Sequence, residues 1–273
     1  MAMEFPEMLK VSRQLDQVLS GKKFIDITLN DSSASLIKWG FVNLHQCDVV
    51  GLKIKQVINH GQYAIVKMEN GYNLIFGDLI GRILYHPNKS RLPSKYMILF
   101  SLSDKSSISF HTDMYGFAYA MTDKDLYHHR YINLKGIDPL DSSFTFTYFE
   151  KMLKNNQKKL VKKIQNLYDY MTGFQNGYFQ DIFLCAGILP FKKISKLTLE
   201  ERTKLYECIL QIVQQAVEQG GSKDETDIYN QPGSYKRIFG GHIKNSLCPR
   251  CGGVITSKKI LGSMSYFCMD CQH

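Results

Sequence analysis

No apolar run in the 273-residue sequence approaches the roughly 20 residues that a membrane-spanning helix requires, so no membrane association is expected. The opening Met1-Ala2-Met3-Glu4-Phe5-Pro6-Glu7 lacks the basic and apolar stretches of a secretory signal, and a cytoplasmic protein is the expectation. Low-complexity tracts and collagen-like periodicity are also missing. With 44% hydrophobic and 22% charged residues, the chain has enough apolar surface to offset the entropy of ordering it. Acids are the scarcer charge: 25 Asp plus Glu face 34 Lys plus Arg, for a formal net charge of +9. That surplus suits a polyanion, nucleic acid being the commonest, and it equally suits an ordinary basic soluble protein.

The chain changes texture along its length. Met8, Val11, Leu15, Val18 and Leu19 recur at helical spacing before Ser20-Gly21. From 22 to about 132, short β-type runs follow without intervening helices: Phe24–Leu29, Val49–Ile58, Tyr63–Met68, Leu74–Phe76, Met97–Leu102 and Ser107–His111. Turn signals at Asn59-His60-Gly61, Glu69-Asn70-Gly71 and Asn88-Lys89-Ser90 separate them, which predicts an antiparallel β-sandwich or barrel. Beyond Gly136-Ile137-Asp138-Pro139-Leu140 the pattern predicts helices over Phe146–Asn155, Lys158–Met171, Gly177–Ala186 and Thr198–Gln219. Thr198-Leu199-Glu200-Glu201 reads as a capping box for the last. Six lysines (151, 154, 158, 159, 162 and 163) lie within thirteen residues, either a phosphate track or a solvated helix face.

The seven cysteines form two populations. Cys47, Cys185 and Cys208 are scattered, and apolar packing is the expectation for each. Cys248, Cys251, Cys268 and Cys271 make two C-x2-C pairs separated by sixteen residues. Four thiolates suit tetrahedral zinc at about 2.3 Å and leave no open ligand position, so one structural zinc ion is expected, with an iron–sulfur centre as the rival. The segment between the pairs, Val254–Phe267, predicts a two-stranded hairpin.

These features together resemble the formamidopyrimidine-DNA glycosylase and endonuclease VIII family. Glu4-Phe5-Pro6-Glu7 is similar to the family's opening Pro-Glu-Leu/Gly-Pro-Glu, shifted by one residue, and Gly136–Leu140 to its interdomain Gly-Pro-Glu-Pro-Leu. Gly173-Phe174-Gln175-Asn176-Gly177-Tyr178 and Ala186-Gly187-Ile188-Leu189-Pro190 resemble the signature of its helix-two-turn-helix. The finger has the family's spacing. The resemblance implies an α+β multidomain protein with three parts. They are an N-terminal antiparallel β-sandwich (1–135), a helical helix-two-turn-helix domain (136–222), and a linker with a C-terminal four-Cys zinc-finger β-hairpin (223–273). It implies damaged or abasic double-stranded DNA as partner, a monomer, and nucleoid association in a bacterium. Asn176 is the implied phosphate ligand, or else a simple cap, with Lys158 and Lys162 as further DNA contacts.

Several positions depart from the family. The nucleophilic proline matches Met3, preceded by Ala2, whose amine is an alternative nucleophile; Glu4 matches the catalytic glutamate, or is a solvated terminal carboxylate. The phosphate-binding lysine matches Gln62 and the finger arginine matches Ser263. The void-filling methionine matches Leu79, and the intercalating Arg-Phe pair resembles Met114-Tyr115. The implied function is a divergent base-excision DNA glycosylase that hydrolyses the N-glycosidic bond, with weak or absent abasic-site lyase activity. The alternatives are an inactive relative that binds nucleic acid through its zinc finger, and a protein-interaction module on the same scaffold.

Overall fold

The computed structural model describes residues 2–44, 49–87, 92–129, 132, 134–243 and 246–273. Cys47 and the Asn88-Lys89-Ser90 turn lie outside the described residues. Two compact units divide the chain: Met1–Asn133 with Gly220–Ser234, and Leu134–Gln219 with Tyr235–His273.

The first unit opens with α1 (Phe5–Leu19). Glu4 is its N-cap, and the Glu4 N–H donates to Glu7 Oε2 at 3.0 Å within a reciprocal capping box. Met8, Val11, Leu15 and Leu19 form the buried stripe, which packs along β3 (Ile54–His60) and β4 (Tyr63–Met68). The remaining strands are β1 (Phe24–Leu29), β2 (Val42–Asn43), β5 (Tyr72–Gly77), β6 (Gly81–His86), β7 (Ile98–Leu102), β8 (Ser107–Thr112) and β9 (Phe117–Thr122). They form a four-stranded sheet, β1-β7-β8-β6, and a five-stranded sheet, β2-β9-β5-β4-β3. Every pairing is antiparallel except the two-residue contact of β2 with β9. Phe76 of β5 meets Phe100 of β7 and Phe110 of β8 with ring centroids 5.6 and 5.7 Å apart, so the two sheets share one aromatic core.

The expected sandwich is present, with three strands the pattern does not predict. β9 is buried along five of its six residues between β2 and β5, so it offers no alternation to read. The run expected from Val49 is a strand only from Ile54, because the chain turns at Gly51 with φ +84°. Residues 220–234, which the sequence divides between a helix end and a linker, fold with the first unit. Ser222 N–H donates to Glu7 Oε1 at 2.7 Å, and Asp227 accepts from Lys10 Nζ and Gln14 Nε2, both at 2.9 Å. A side chain at Gly221 (φ +88°) would come within 2.8 Å of Glu7 Cγ, so this approach requires glycine.

In the second unit the helices are α4 (Phe146–Lys154), α5 (Asn176–Ala186) and α6 (Leu199–Glu218); two five-residue helices, α2 (Ala34–Lys38) and α3 (Asp123–Tyr127), belong to the first. The helix expected over Lys158–Met171 is instead a 3-10 segment, Val161–Asn166. Val161, Ile164 and Leu167 recur every three residues, the 3-10 period. The N–H groups of Val161 and Lys162 go to Lys192 O and Pro190 O at 2.8 and 3.0 Å, which takes them from any α-helical ladder. Cys185 and Cys208, expected as packed thiols, are a disulfide joining α5 to α6. The chain ends in the hairpin β10 (Ile255–Ile260) and β11 (Ser263–Cys268), paired from Ile255↔Cys268 to Ile260↔Ser263.

Candidate functional site

The finger brings its four cysteines together: the Sγ atoms of Cys248, Cys251, Cys268 and Cys271 all lie within 4.8 Å of one another. The Gly252 N–H returns to Cys248 O at 2.8 Å, which turns the first pair inward. The exposed Asp270 carboxylate of the second cysteine loop lies directly over Gly253 of the first, 1.8 Å from where a Cβ would stand. Thiolates about 2.3 Å from a tetrahedral ion lie about 3.8 Å apart. The Cys248–Cys271 and Cys251–Cys268 sulfurs, at 3.7 and 3.4 Å, fit that spacing. The cluster is a zinc-binding site. Arg250 Nη1 holds it to the C-terminal end of α5 through Leu184 O at 2.9 Å, and Gln272 Nε2 reaches Ile188 O at 2.9 Å.

The same unit gathers three of the sequence-predicted DNA contacts. Asn176, the first residue of α5, donates from Nδ2 to Met264 O at 2.9 Å, while its Oδ1 is buried without a hydrogen bond. Lys162 does not lie on an open lysine track. It is 2% exposed, and its Nζ donates to Ser263 O, Ser263 Oγ and Ser265 Oγ at 3.0, 2.8 and 2.6 Å. Burial pushes its pKa down to about 8. Ser263 is thus brought to Lys162 and Asn176, whereas Lys158 is exposed and apart from this cluster's hydrogen bonds. Asp181 of α5, unremarked in the sequence, is fully buried. It accepts from Tyr235 Oη, Ile238 N and Phe239 N at 3.0, 2.9 and 2.7 Å, and burial pushes its pKa up to about 6.

In the first unit the N-terminal residues are interior. Ala2, Met3 and Glu4 are 6%, 0% and 0% exposed, so Glu4 is not a solvated terminal carboxylate. The Met3 N–H donates to Leu79 O at 2.8 Å. A peptide nitrogen engaged in this way has no lone pair for attack on carbon. Gln62 is buried, donates to Tyr63 Oη at 3.0 Å and hydrogen-bonds Asp78. It therefore faces inward at the position where the resemblance implies a phosphate contact. Asp78, which carried no signal in the sequence beyond a turn-forming residue type, lies between β5 and β6 with φ +47°. Its carboxyl is pushed up by burial and partly held down by Gln62. Leu79 is fully buried, while Met114 and Tyr115 stand 63% and 54% exposed at the tip between β8 and β9.

A sandwich headed by a capped helix, with a helical unit ending in a four-cysteine finger, defines a two-unit zinc-finger protein. The family model described as "Zinc finger found in FPG and IleRS" matches residues 246–273. The chain is 26% identical to the formamidopyrimidine-DNA glycosylase of Pelotomaculum thermopropionicum, over 98% of both chains. It is 34% identical to that of Brevibacillus brevis over 142 residues, 50% of each. The MutM (Fpg) protein of Thermus thermophilus has the same fold, with TM-score 0.83, 21% identity and 98% of both chains covered. The Lactococcus lactis Fpg in complex with abasic-site DNA gives TM-score 0.81 at 21% identity, over 99% of both chains. The finger model and the whole-length similarity support the resemblance to the formamidopyrimidine-DNA glycosylase and endonuclease VIII family.

Proposed function

We propose that the protein binds damaged or abasic duplex DNA and excises the damaged base by hydrolysing its N-glycosidic bond, with Glu4 as the carboxylate that activates water. The observation that carries this reading is the similarity to formamidopyrimidine-DNA glycosylases along 98% of the chain; the resemblance of the N-terminal residues makes Glu4 the counterpart of the family's glutamate. At the N-cap of α1, the buried Glu4 side chain accepts the Glu7 N–H within the capping box and faces the positive end of the helix dipole, which offset the cost of burying it as a carboxylate. An ionised carboxylate can take the proton of a water attacking C1′.

DNA binding rests on the second unit and on the exposed tip of the first. The N-terminus of α5, with Asn176, is suited to a phosphate, and Lys158 adds exposed charge. Met114 and Tyr115 supply an apolar wedge for a base step opened by nucleotide flipping. A single zinc ion has a structural role, because four thiolates close its coordination shell. Abasic-site lyase activity is weak or absent, since the Met3 nitrogen is an amide committed to Leu79 O. That contact, with the inward-facing Gln62, also favours the second reading, a binding protein without catalysis. Among the described residues no helix is long and apolar enough to cross a membrane.

The test measures Kd and single-turnover excision on a duplex with one formamidopyrimidine-guanine. Preferred binding with base release is expected. Preferred binding without release selects the second reading, and affinity equal to that for undamaged duplex overturns both.

A further inference from the structure

The turn between β5 and β6 carries a carboxyl group that the reading above does not use. Asp78 occupies a left-handed conformation, φ +47°, which glycine adopts at lower cost. The turn around it is held from three directions. Leu79 O accepts the Met3 N–H at 2.8 Å, Ile80 N–H donates to Tyr115 O at 2.8 Å, and Ile80 O accepts the Asp113 N–H at 2.8 Å. The Asp78 side chain is in turn hydrogen-bonded by Gln62, whose amide is fixed by Tyr63 Oη at 3.0 Å. A side chain one residue earlier is impossible: a Cβ at Gly77 would lie 2.5 Å from Tyr63 Cδ1 and 2.6 Å from Phe117 Cζ. Asp78 is thus the first position past β5 at which the turn can present a functional group, and an acid stands there in a strained conformation.

The location supplies the purpose. Asp78 adjoins Leu79 and Glu4 adjoins Met3, so the two acids flank a single backbone hydrogen bond. Their environments differ: Glu4, although 0% exposed, lies at a helix N-terminus whose N–H groups and dipole offset its burial, whereas Asp78 has no helix end beside it and its carboxyl is pushed up by burial. Two carboxyl groups driven toward opposite protonation states can act as base and acid in one hydrolysis.

We propose that Asp78 is the second carboxyl group of the N-terminal site and donates the proton to the base nitrogen as it leaves C1′. The inference rests on the glycosylase reading. The water oxygen forms the bond to C1′ while Glu4 takes a water proton. The C1′–N bond breaks with its electron pair going to the base nitrogen, which receives the Asp78 proton. Glu4 is left protonated and Asp78 ionised, and exchange with solvent restores both.

The experiment uses the full-length zinc-loaded protein and two variants, on a formamidopyrimidine-guanine duplex for excision and on the same duplex with a tetrahydrofuran abasic analogue for Kd. Asp78→Asn keeps the size and the acceptor for Gln62. Asp78→Gly suits the left-handed backbone, so its melting temperature is expected to equal or exceed that of the unmodified protein. Both should lower single-turnover excision by about 100-fold, the usual scale of a lost general acid, with Kd unchanged. They should also remove the alkaline limb of the rate profile. Excision by either stably folded variant at the unmodified rate overturns the proposal and leaves the glycosylase reading intact. An unmodified protein that binds the analogue but releases no base overturns the glycosylase reading, and this proposal with it.

Discussion

The ammonium of Lys162 lies 2.8 Å from the hydroxyl of Ser263, although 101 residues separate them in sequence. Ser263 stands where the family resemblance implies an arginine, and Lys162 reaches it from the 3-10 segment at the start of β11. A second hydroxyl, Ser265 Oγ, and the Ser263 carbonyl complete the lysine's contacts. A cation that the sequence assigns to the DNA surface is therefore the polar support of the finger.

Replacing that support has a defined signature. Lys162→Met leaves two buried serine hydroxyls without their donor and should destabilise the second unit by about 1–3 kcal/mol. Burial lowers the Lys162 pKa from 10.5 to about 8, so the folded state disfavours the charged form. From this group alone, stability is highest above pH 10.5, falls as the pH drops toward about 8, and levels off below that. Denaturant titrations across that range should show this dependence in the unmodified protein and not in Lys162→Met.

The salt dependence of DNA binding separates the exposed lysines from the buried one. Each neutralised phosphate contributes about −0.9 to the slope of log K against log salt for duplex DNA. Lys158 and Lys159 are exposed, and Lys158→Ala with Lys159→Ala should flatten the slope by about 2 if each meets a phosphate. Lys162→Met should weaken binding through the finger and leave the slope unchanged. A slope untouched by the double substitution would move the phosphate track elsewhere.

Local patterns carried the sandwich, four of the helices and the zinc site into view. Thr198 and Glu201 cap α6 as a motif of four adjacent residues, and the C-x2-C pairs turn sulfurs inward by spacing alone. What escaped depends on distant partners. Nothing near Lys162 in sequence announces Ser263, and nothing near Glu7 announces the Ser222 N–H that brings residues 220–234 into the first unit. Cys185 and Cys208 read as isolated because helix packing, not spacing, makes them neighbours. Gln62 and Asp78 are sixteen residues apart in sequence, and the pairing of Tyr63 with Gly77 brings them together at the open end of the β4–β5 hairpin.

Zinc removal should act on one unit only. The cysteine loops are tied to α5 through Arg250 and to Ile188, just beyond it, through Gln272, so the binding energy of a zinc ion there is folding energy for that corner. Cys268→Ser should lower zinc content from one ion per chain to near zero and unfold the finger. The Phe76–Phe100–Phe110 core belongs to the first unit, and its amide-exchange protection should persist. Elemental analysis and hydrogen exchange on the same sample decide the matter.

The last prediction concerns the N-terminal chemistry. A Schiff-base mechanism needs an amine with a free lone pair near C1′, whereas the Met3 nitrogen is an amide that donates to Leu79 O at 2.8 Å. The carboxylate route needs only Glu4 and water. Borohydride should therefore trap little of the unmodified protein on an abasic duplex, even where base excision is measurable. Glu4→Gln preserves the shape of the helix cap and should abolish excision, because an amide cannot take a proton from water. Duplex affinity should change little, since one buried carboxylate adds nothing to phosphate binding. Deleting the first two residues and placing proline at position 3 frees a secondary amine next to Glu4. Covalent trapping should then rise if the pocket still admits an extruded nucleotide. Efficient trapping of the unmodified chain that survives Glu4→Gln would assign the chemistry to an amine and remove Glu4 from its central place.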